Sequence, residues 1–194
     1  MSVRRAVFLD RDGVLVEDVG YLSSPDDLMV IDGVPDALRR MCERGFRLVV
    51  VSNQAGIARG LLTENELAGI HARLAMLLER EGVRVDAWLY CPHHPDEGAA
   101  PWRCACTCRK PAPGLLMRAR ELFELELSTS YLIGDRRSDV AAGRAAGCIP
   151  VLVRTGRGES EAERWPASAD EVPDTIVDTL GEAAAWILQR ETWK

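Results

Sequence analysis

Two pairs of aspartates and one knot of cysteines carry the chemistry this sequence offers. In FLDRDGVL, residues 8–15, an apolar run ends in Asp10 and Asp12 with Gly13 behind them. Carboxylates at the end of a buried strand are costly unless paired or metal-bound, so two together imply a cation or a reaction. With one residue between them, Asp10 and Asp12 face the same side while the backbone stays extended. A second pair stands in IGDRRSD, where Asp139 follows Asp135 by four residues, one helical turn on. Each aspartate alone is equally well read as a turn or N-cap residue. Four converging would form a negative site suited to Mg2+, a hard cation typical of enzymes that act on phosphates.

VSNQ (51–54) and RKP (109–111) add a hydroxyl, Ser52, and a cation, Lys110, which together with the carboxylates would complete a phosphate pocket. Immediately before RKP lies the third feature. Cys91, His93 and His94 are followed by Cys104, Cys106 and Cys108, so four of the six cysteines fall within 18 positions. Soft thiolates with an imidazole suit a closed tetrahedral Zn2+ site of structural character, and the surrounding Pro, Asp, Glu and Gly offer no core in which free thiols would pack. Six candidates compete for four places.

These residues need elements to position them. Val3–Leu9, Phe46–Val51, Ala87–Tyr90, Tyr131–Ile133 and Ile149–Val153 read as short buried strands. Between them fall helices over Val34–Glu43, from the capping box Thr63-Glu64-Asn65-Glu66 toward Gly82, from Pro113–Gly114 through Leu125, and over Ser138–Ala146. A Gly/Ser/Glu-rich loop follows Arg154, and a last helix is expected over roughly Thr175–Arg190. Alternating strands and helices predict an α/β fold: a doubly wound, mostly parallel Rossmann-like sheet with helices on both faces and right-handed crossovers. Ligands in such sheets bind outside the carboxyl ends of the strands, where Asp10, Ser52, Cys91 and Asp135 all fall.

Composition narrows the classes. The 194 residues are expected to form a single domain, 1–194, and no intervening segment leaves room for a large cap domain. With 47% hydrophobic and 28% charged residues the chain reads as globular, and a net charge of -6 argues against nucleic acid. No segment has the length of a secretory signal or a membrane span, and the cysteines suggest metal rather than disulfides, so a cytoplasmic monomer without membrane or nucleic-acid partners is expected. His71, Cys42 and Cys148 read as buried structural residues. The five tryptophans show no stacking pattern, Trp102 alone falling near the metal loop, and the glutamates of 121–126 and 159–163 read as solvated faces.

In order, DRDG (10–13), SNQ (52–54), RKP (109–111) and GDRRSD (134–139) resemble the motifs of the haloacid-dehalogenase-like phosphohydrolases. From about Val3 to Arg154 the chain resembles, more narrowly, the heptose 1,7-bisphosphate 7-phosphatases of that family and their relatives, the histidinol-phosphate phosphatases. The resemblance implies Asp10 as nucleophile through an aspartyl-phosphate, Asp12 as general acid and base, and Ser52 and Lys110 as ligands of the transferring phosphoryl group. It implies Mg2+ on Asp10, Asp135 and the Asp12 carbonyl, and Zn2+ on Cys91, His93, Cys106 and Cys108, which sets Cys104 and His94 aside. Asp139 would orient Lys110 or a metal-bound water. Asp18, Val19, Gly20, Tyr21, Ser52, Asn53, Gln54, Ala55, Arg109, Lys110 and Arg136 would contact a small phosphorylated sugar. Two positions depart from the heptose pattern, Arg136 standing for the usual lysine and Ala55 for a serine. The alternatives are hydrolysis of histidinol phosphate or another small phosphate ester, and a zinc-stabilised binding protein without activity.

Overall fold

The computed structural model describes residues 4–165 and 172–191. Six strands form one sheet: β1 (Ala6–Leu9), β2 (Arg47–Asn53), β3 (Ala87–Cys91), β4 (Tyr131–Gly134), β5 (Ile149–Val153) and β6 (Thr175–Val177). Every pairing is parallel, in the order β3-β2-β1-β4-β5-β6. Among the described residues six α-helices accompany them: α1 (Val34–Glu43), α2 (Glu64–Arg80), α3 (Gly114–Phe123), α4 (Arg137–Ala146), α5 (Gly158–Glu163) and α6 (Leu180–Glu191). The doubly wound α/β expectation holds, with no large insertion between β1 and β2. Among the described residues no helix is long and apolar enough to cross a membrane.

Alternation along the strands builds the two faces. In β1, Val7 and Leu9 pack with Leu38 and Met41 of α1 and Ala183 and Ile187 of α6. Ala6 and Phe8 turn to the other face, against Leu115 and Leu116 of α3 and Ala142 of α4. A smaller cluster of Leu22, Ile57, Leu62, Leu67 and Ile70 seats the start of α2 beside the carboxyl ends of the strands. That helix opens with the expected capping box: Thr63 Oγ1 accepts from the Glu66 N–H at 3.2 Å, and Glu66 Oε2 accepts from the Thr63 N–H at 2.6 Å.

Two expectations are corrected. Thr175–Val177 is not the start of the last helix but a sixth strand paired with β5, and the helix begins only at Leu180. Three residues are too few for a strand period to emerge from sequence; the edge of β5 supplies the partner that makes them one. The loop after Arg154 also contains a turn and a half of helix, α5, whose Glu159 pairs with Arg154 at 2.9 Å. Val3 and Trp193 lie outside the described residues.

Candidate active site

Because all strands run parallel, their carboxyl ends share one rim, and β1 and β4 lie side by side where the chain winds off in opposite directions. Crossovers diverge there and leave a crevice. Asp10 follows β1, Asp135 follows β4, and Ser52 lies near the end of β2. The crevice is a cleft of roughly 320 Å³ lined by Asp10, Asp12, Ser52, Lys110 and Asp139 among others.

Its floor is a charge network. Lys110 is buried, with Nζ 3.0 Å from Asp10 Oδ1, 2.6 Å from Asp139 Oδ1, and donating to the Val51 carbonyl at 2.7 Å. Burial works against its charge, but the two carboxylates more than offset this and raise its proton affinity. Asp139 also caps α4, Oδ2 accepting from the Arg136 N–H at 3.1 Å. Burial, moderated by Lys110 and reinforced by the charge of Asp10, pushes the Asp139 carboxyl up to about 6.

Asp10, Asp135 and Asp139 each offer a carboxylate oxygen within 4.8 Å of the others. Asp135 is fully buried; Oδ2 accepts from the Arg157 N–H at 2.8 Å, while Oδ1 has no hydrogen-bond partner among the described residues and stands 3.8 Å from Arg136 Nε. Burial first, then the charges of Asp10 and Asp139, push Asp135 up to about 8. A buried carboxylate oxygen without a donor, beside other carboxylates, fits a divalent cation, which would relieve the repulsion. The backbone is shaped to allow this crowding. Gly13, at φ +81°, passes so close that a Cβ there would stand 2.4 Å from Asp135 Oδ2, and Gly156, at φ +58°, approaches the same oxygen equally. Gly13 thus brings the chain against a carboxylate, which the sequence did not indicate.

Asp12 also faces the cleft, held by a group that sequence reasoning passed over. Arg11 is almost fully buried and donates to Asp12 Oδ1 from Nε at 3.0 Å and from its NH2 group at 2.8 Å. Gln54 donates to Asp12 Oδ2 at 3.0 Å and to Ser52 Oγ at 2.7 Å. Burial raises the Asp12 carboxyl above its ordinary value although Arg11 opposes it.

The expected substrate contacts divide. Asp18, Gly20, Tyr21, Asn53, Gln54, Ala55, Arg109 and Arg136 line the cleft; Val19 does not, and is exposed to solvent. Asn53 is already committed, exchanging bonds of 2.9 and 3.0 Å with the Lys110 backbone and so lacing the RKP loop to β2. Asp18 is nearly buried and accepts from both Arg136 and Arg157. Arg157 was unforeseen, yet it follows β5, and a parallel sheet places every strand's carboxyl end on the same rim.

Beside the cleft, Cys91, His93, Cys106 and Cys108 converge, with Cys91 Sγ 3.5 Å from His93 Nδ1, 3.5 Å from Cys106 Sγ and 3.0 Å from Cys108 Sγ. A tetrahedral zinc with Zn–S bonds of about 2.3 Å has S···S edges of about 3.8 Å, so the four donors stand slightly inside such a site and fit it. Burial raises the Cys91 thiol; at Cys106 burial acts likewise, but the Arg109 N–H and neighbouring thiols bring it below its ordinary value. Cys104 stays outside this group. His94 Nδ1 accepts from the Asp96 and Glu97 N–H groups at 3.2 and 3.0 Å. His71 is buried and stacked on Trp88, as expected of a structural residue.

Comparison with known proteins follows the same lines. A family model described as HAD-hydrolase-like matches residues 107–183. The chain is 42% identical over 175 residues to the D-glycero-beta-D-manno-heptose-1,7-bisphosphate 7-phosphatase of Yersinia pestis, covering 89% of this chain and 92% of that one. The same enzyme of Escherichia coli K12 is also 42% identical, covering 89% and 90%. A solved D,D-heptose 1,7-bisphosphate phosphatase from B. bronchiseptica, complexed with magnesium and phosphate, superposes with a TM-score of 0.84 at 32% identity, over 96% of this chain and 99% of that one.

Proposed function

Since the chain belongs to the haloacid-dehalogenase-like hydrolases, among the heptose-bisphosphate phosphatases of that family, we propose that it removes the 7-phosphate of D-glycero-D-manno-heptose 1,7-bisphosphate. The observation that carries the reading is the meeting of Asp10 and Ser52, from the ends of neighbouring strands, with Lys110 in a cleft of sugar size, and of Asp135 with Asp10 beside it.

Asp10 attacks phosphorus, its carboxylate oxygen forming a P–O bond as the bond to the sugar's C7 oxygen breaks. Asp12, beside the leaving oxygen, gives that oxygen its proton. It then takes a proton from the water that attacks the aspartyl-phosphate, releasing inorganic phosphate and restoring the Asp10 carboxylate and the protonated Asp12. Ser52 and Lys110 hold the equatorial phosphoryl oxygens, where positioning and charge supply most of the acceleration. Arg11 and Gln54 fix the Asp12 carboxylate so that it reaches one oxygen and not another.

Asp10, Asp135 and the Asp12 carbonyl would hold Mg2+, as a relative solved with magnesium supports. The ion would supply charge neutralisation between anionic nucleophile and anionic phosphate. Cys91, His93, Cys106 and Cys108 would hold Zn2+, fixing the loop that delivers Arg109 and Lys110. One catalytic domain acting as a monomer on a small phosphorylated sugar completes the reading.

The test is phosphate release with Mg2+ from both anomers of the heptose bisphosphate and from histidinol phosphate at equal concentrations. The reading expects a preference of about a hundredfold in kcat/KM for a heptose bisphosphate, or about 2.7 kcal/mol in the transition state. Equal or greater activity on histidinol phosphate overturns the substrate and leaves the chemistry.

A further inference from the structure

The cations of the cleft are unequally committed. Lys110 is matched by Asp10 and Asp139, Arg11 by Asp12, and Arg109 is tied through NH1 to the His93 carbonyl at 3.2 Å. Arg59 is matched by Glu97, with contacts of 2.7 Å at Nε and 3.1 Å at its NH2 group. Arg136 and Arg157, from the loops after β4 and β5, instead converge on the one carboxylate of Asp18. Arg136 NH2 and Arg157 Nε each reach Asp18 Oδ2, at 3.2 and 3.1 Å, while Asp18 Oδ1 accepts from the Gly20 N–H at 2.9 Å.

Arg136 also stands 3.8 Å from Asp135, so of the two guanidiniums that share Asp18 it is Arg157 that has no second carboxylate beside it among the described residues. Arg157 spends only Nε on Asp18; its two terminal amino groups have no hydrogen-bond partner among the described residues, and the side chain is 57% exposed. The loop beneath it is nevertheless fixed. The Arg157 N–H is bound to Asp135, and Thr155 Oγ1 donates to the Gly13 carbonyl at 2.5 Å. A guanidinium with a paired inner edge and a free outer fork, on an anchored backbone, is suited to bidentate capture of an anion.

We propose that Arg157, braced by Asp18 beside Arg136, binds the phosphate that is not transferred and so determines the preference for a doubly phosphorylated substrate. This rests on the bisphosphate reading above. The transferring phosphoryl group has its own ligands on the cleft floor, so an anion on the wall must belong to another part of the substrate. Arg157 is a specificity residue, touching neither the reacting phosphorus nor the leaving oxygen.

The experiment compares wild type, Arg157→Gln and Arg157→Lys on heptose 1,7-bisphosphate and on heptose 7-phosphate, which has the same leaving group and no second phosphate, with thermal unfolding of each variant. Expected for Arg157→Gln is a loss of about tenfold to a hundredfold in kcat/KM on the bisphosphate, chiefly through KM, and less than about threefold on the monophosphate, with partial recovery in Arg157→Lys. Equal losses on both substrates would assign Arg157 to holding Asp135 and Asp18 in place and overturn the proposal, as would an undiminished bisphosphate rate. A wild type that does not prefer the bisphosphate overturns the functional reading itself. A wild-type preference that survives in Arg157→Gln overturns this inference alone.

Discussion

Lys110 and Asp139 meet at 2.6 Å with each side chain only 1% exposed, a buried ion pair beside Asp10, the proposed nucleophile. In so little water such a pair survives because each charge has its partner, and removing one leaves the other stranded. Asp139→Asn is therefore expected to destabilise the protein by about 3 kcal/mol, read as a lower urea midpoint at unchanged slope. It is also expected to lower kcat, because Lys110 then leans wholly on Asp10. An unchanged midpoint would mean that the pair is not formed in solution.

Asp10 and Asp12 have separable expectations. Asp10→Asn removes the attacking oxygen, and kcat is expected to fall at least about a thousandfold, with no acid-trapped phosphoprotein. Asp12→Asn keeps the nucleophile and loses the proton, so a fall of about a hundredfold or more is expected, largest on esters with poor leaving groups. Circular dichroism should show both variants folded.

The metals are expected to part under chelation. Brief EDTA treatment should abolish turnover, and Mg2+ should restore it, while about one zinc per chain remains by elemental analysis. Cys108→Ser is expected to lose that zinc and several degrees of Tm, since the loop has few apolar anchors of its own. A wild type that is zinc-free at full stability would remove the zinc site.

His71 ties stability to pH. Burial, with Arg11 adding to it, holds its pKa down at about 3, against about 6.5 unfolded. A depressed histidine favours the fold while neutral: its contribution is complete above about pH 6.5 and declines as the pH falls toward 3, because the unfolded chain then binds the proton that the folded chain refuses. Between pH 7.5 and 5 this one group costs about 2 kcal/mol. His71→Leu is expected to remove about that much of the acid slope in denaturant titrations at the two pH values, and a slope unaltered by the substitution would contradict the assignment.

Much of this protein was legible in local sequence. Strand and helix periods, the Thr63 capping box and the four motif segments each lie within a few residues, and the parallel alternation already implied a shared rim for Asp10, Ser52 and Asp135. Short-range pattern failed at Thr175–Val177, whose strand character comes from the edge of β5. It failed also in the cysteine loop, where six candidates stood for four places and only the family pattern chose; packing then gathered those four.

The sequence by itself determined which chemistry the chain can do, because side-chain type and the parity of a strand are properties of a few consecutive residues. Tertiary structure decided which charges face one another. Asp18 meets Arg136 and Arg157 across 118 and 139 positions, and Lys110 meets Asp10, just after β1, and Asp139, on α4. Such pairings depend on how crossovers bring distant strand ends together, and electrostatic energy depends on distance and burial, which no local pattern contains.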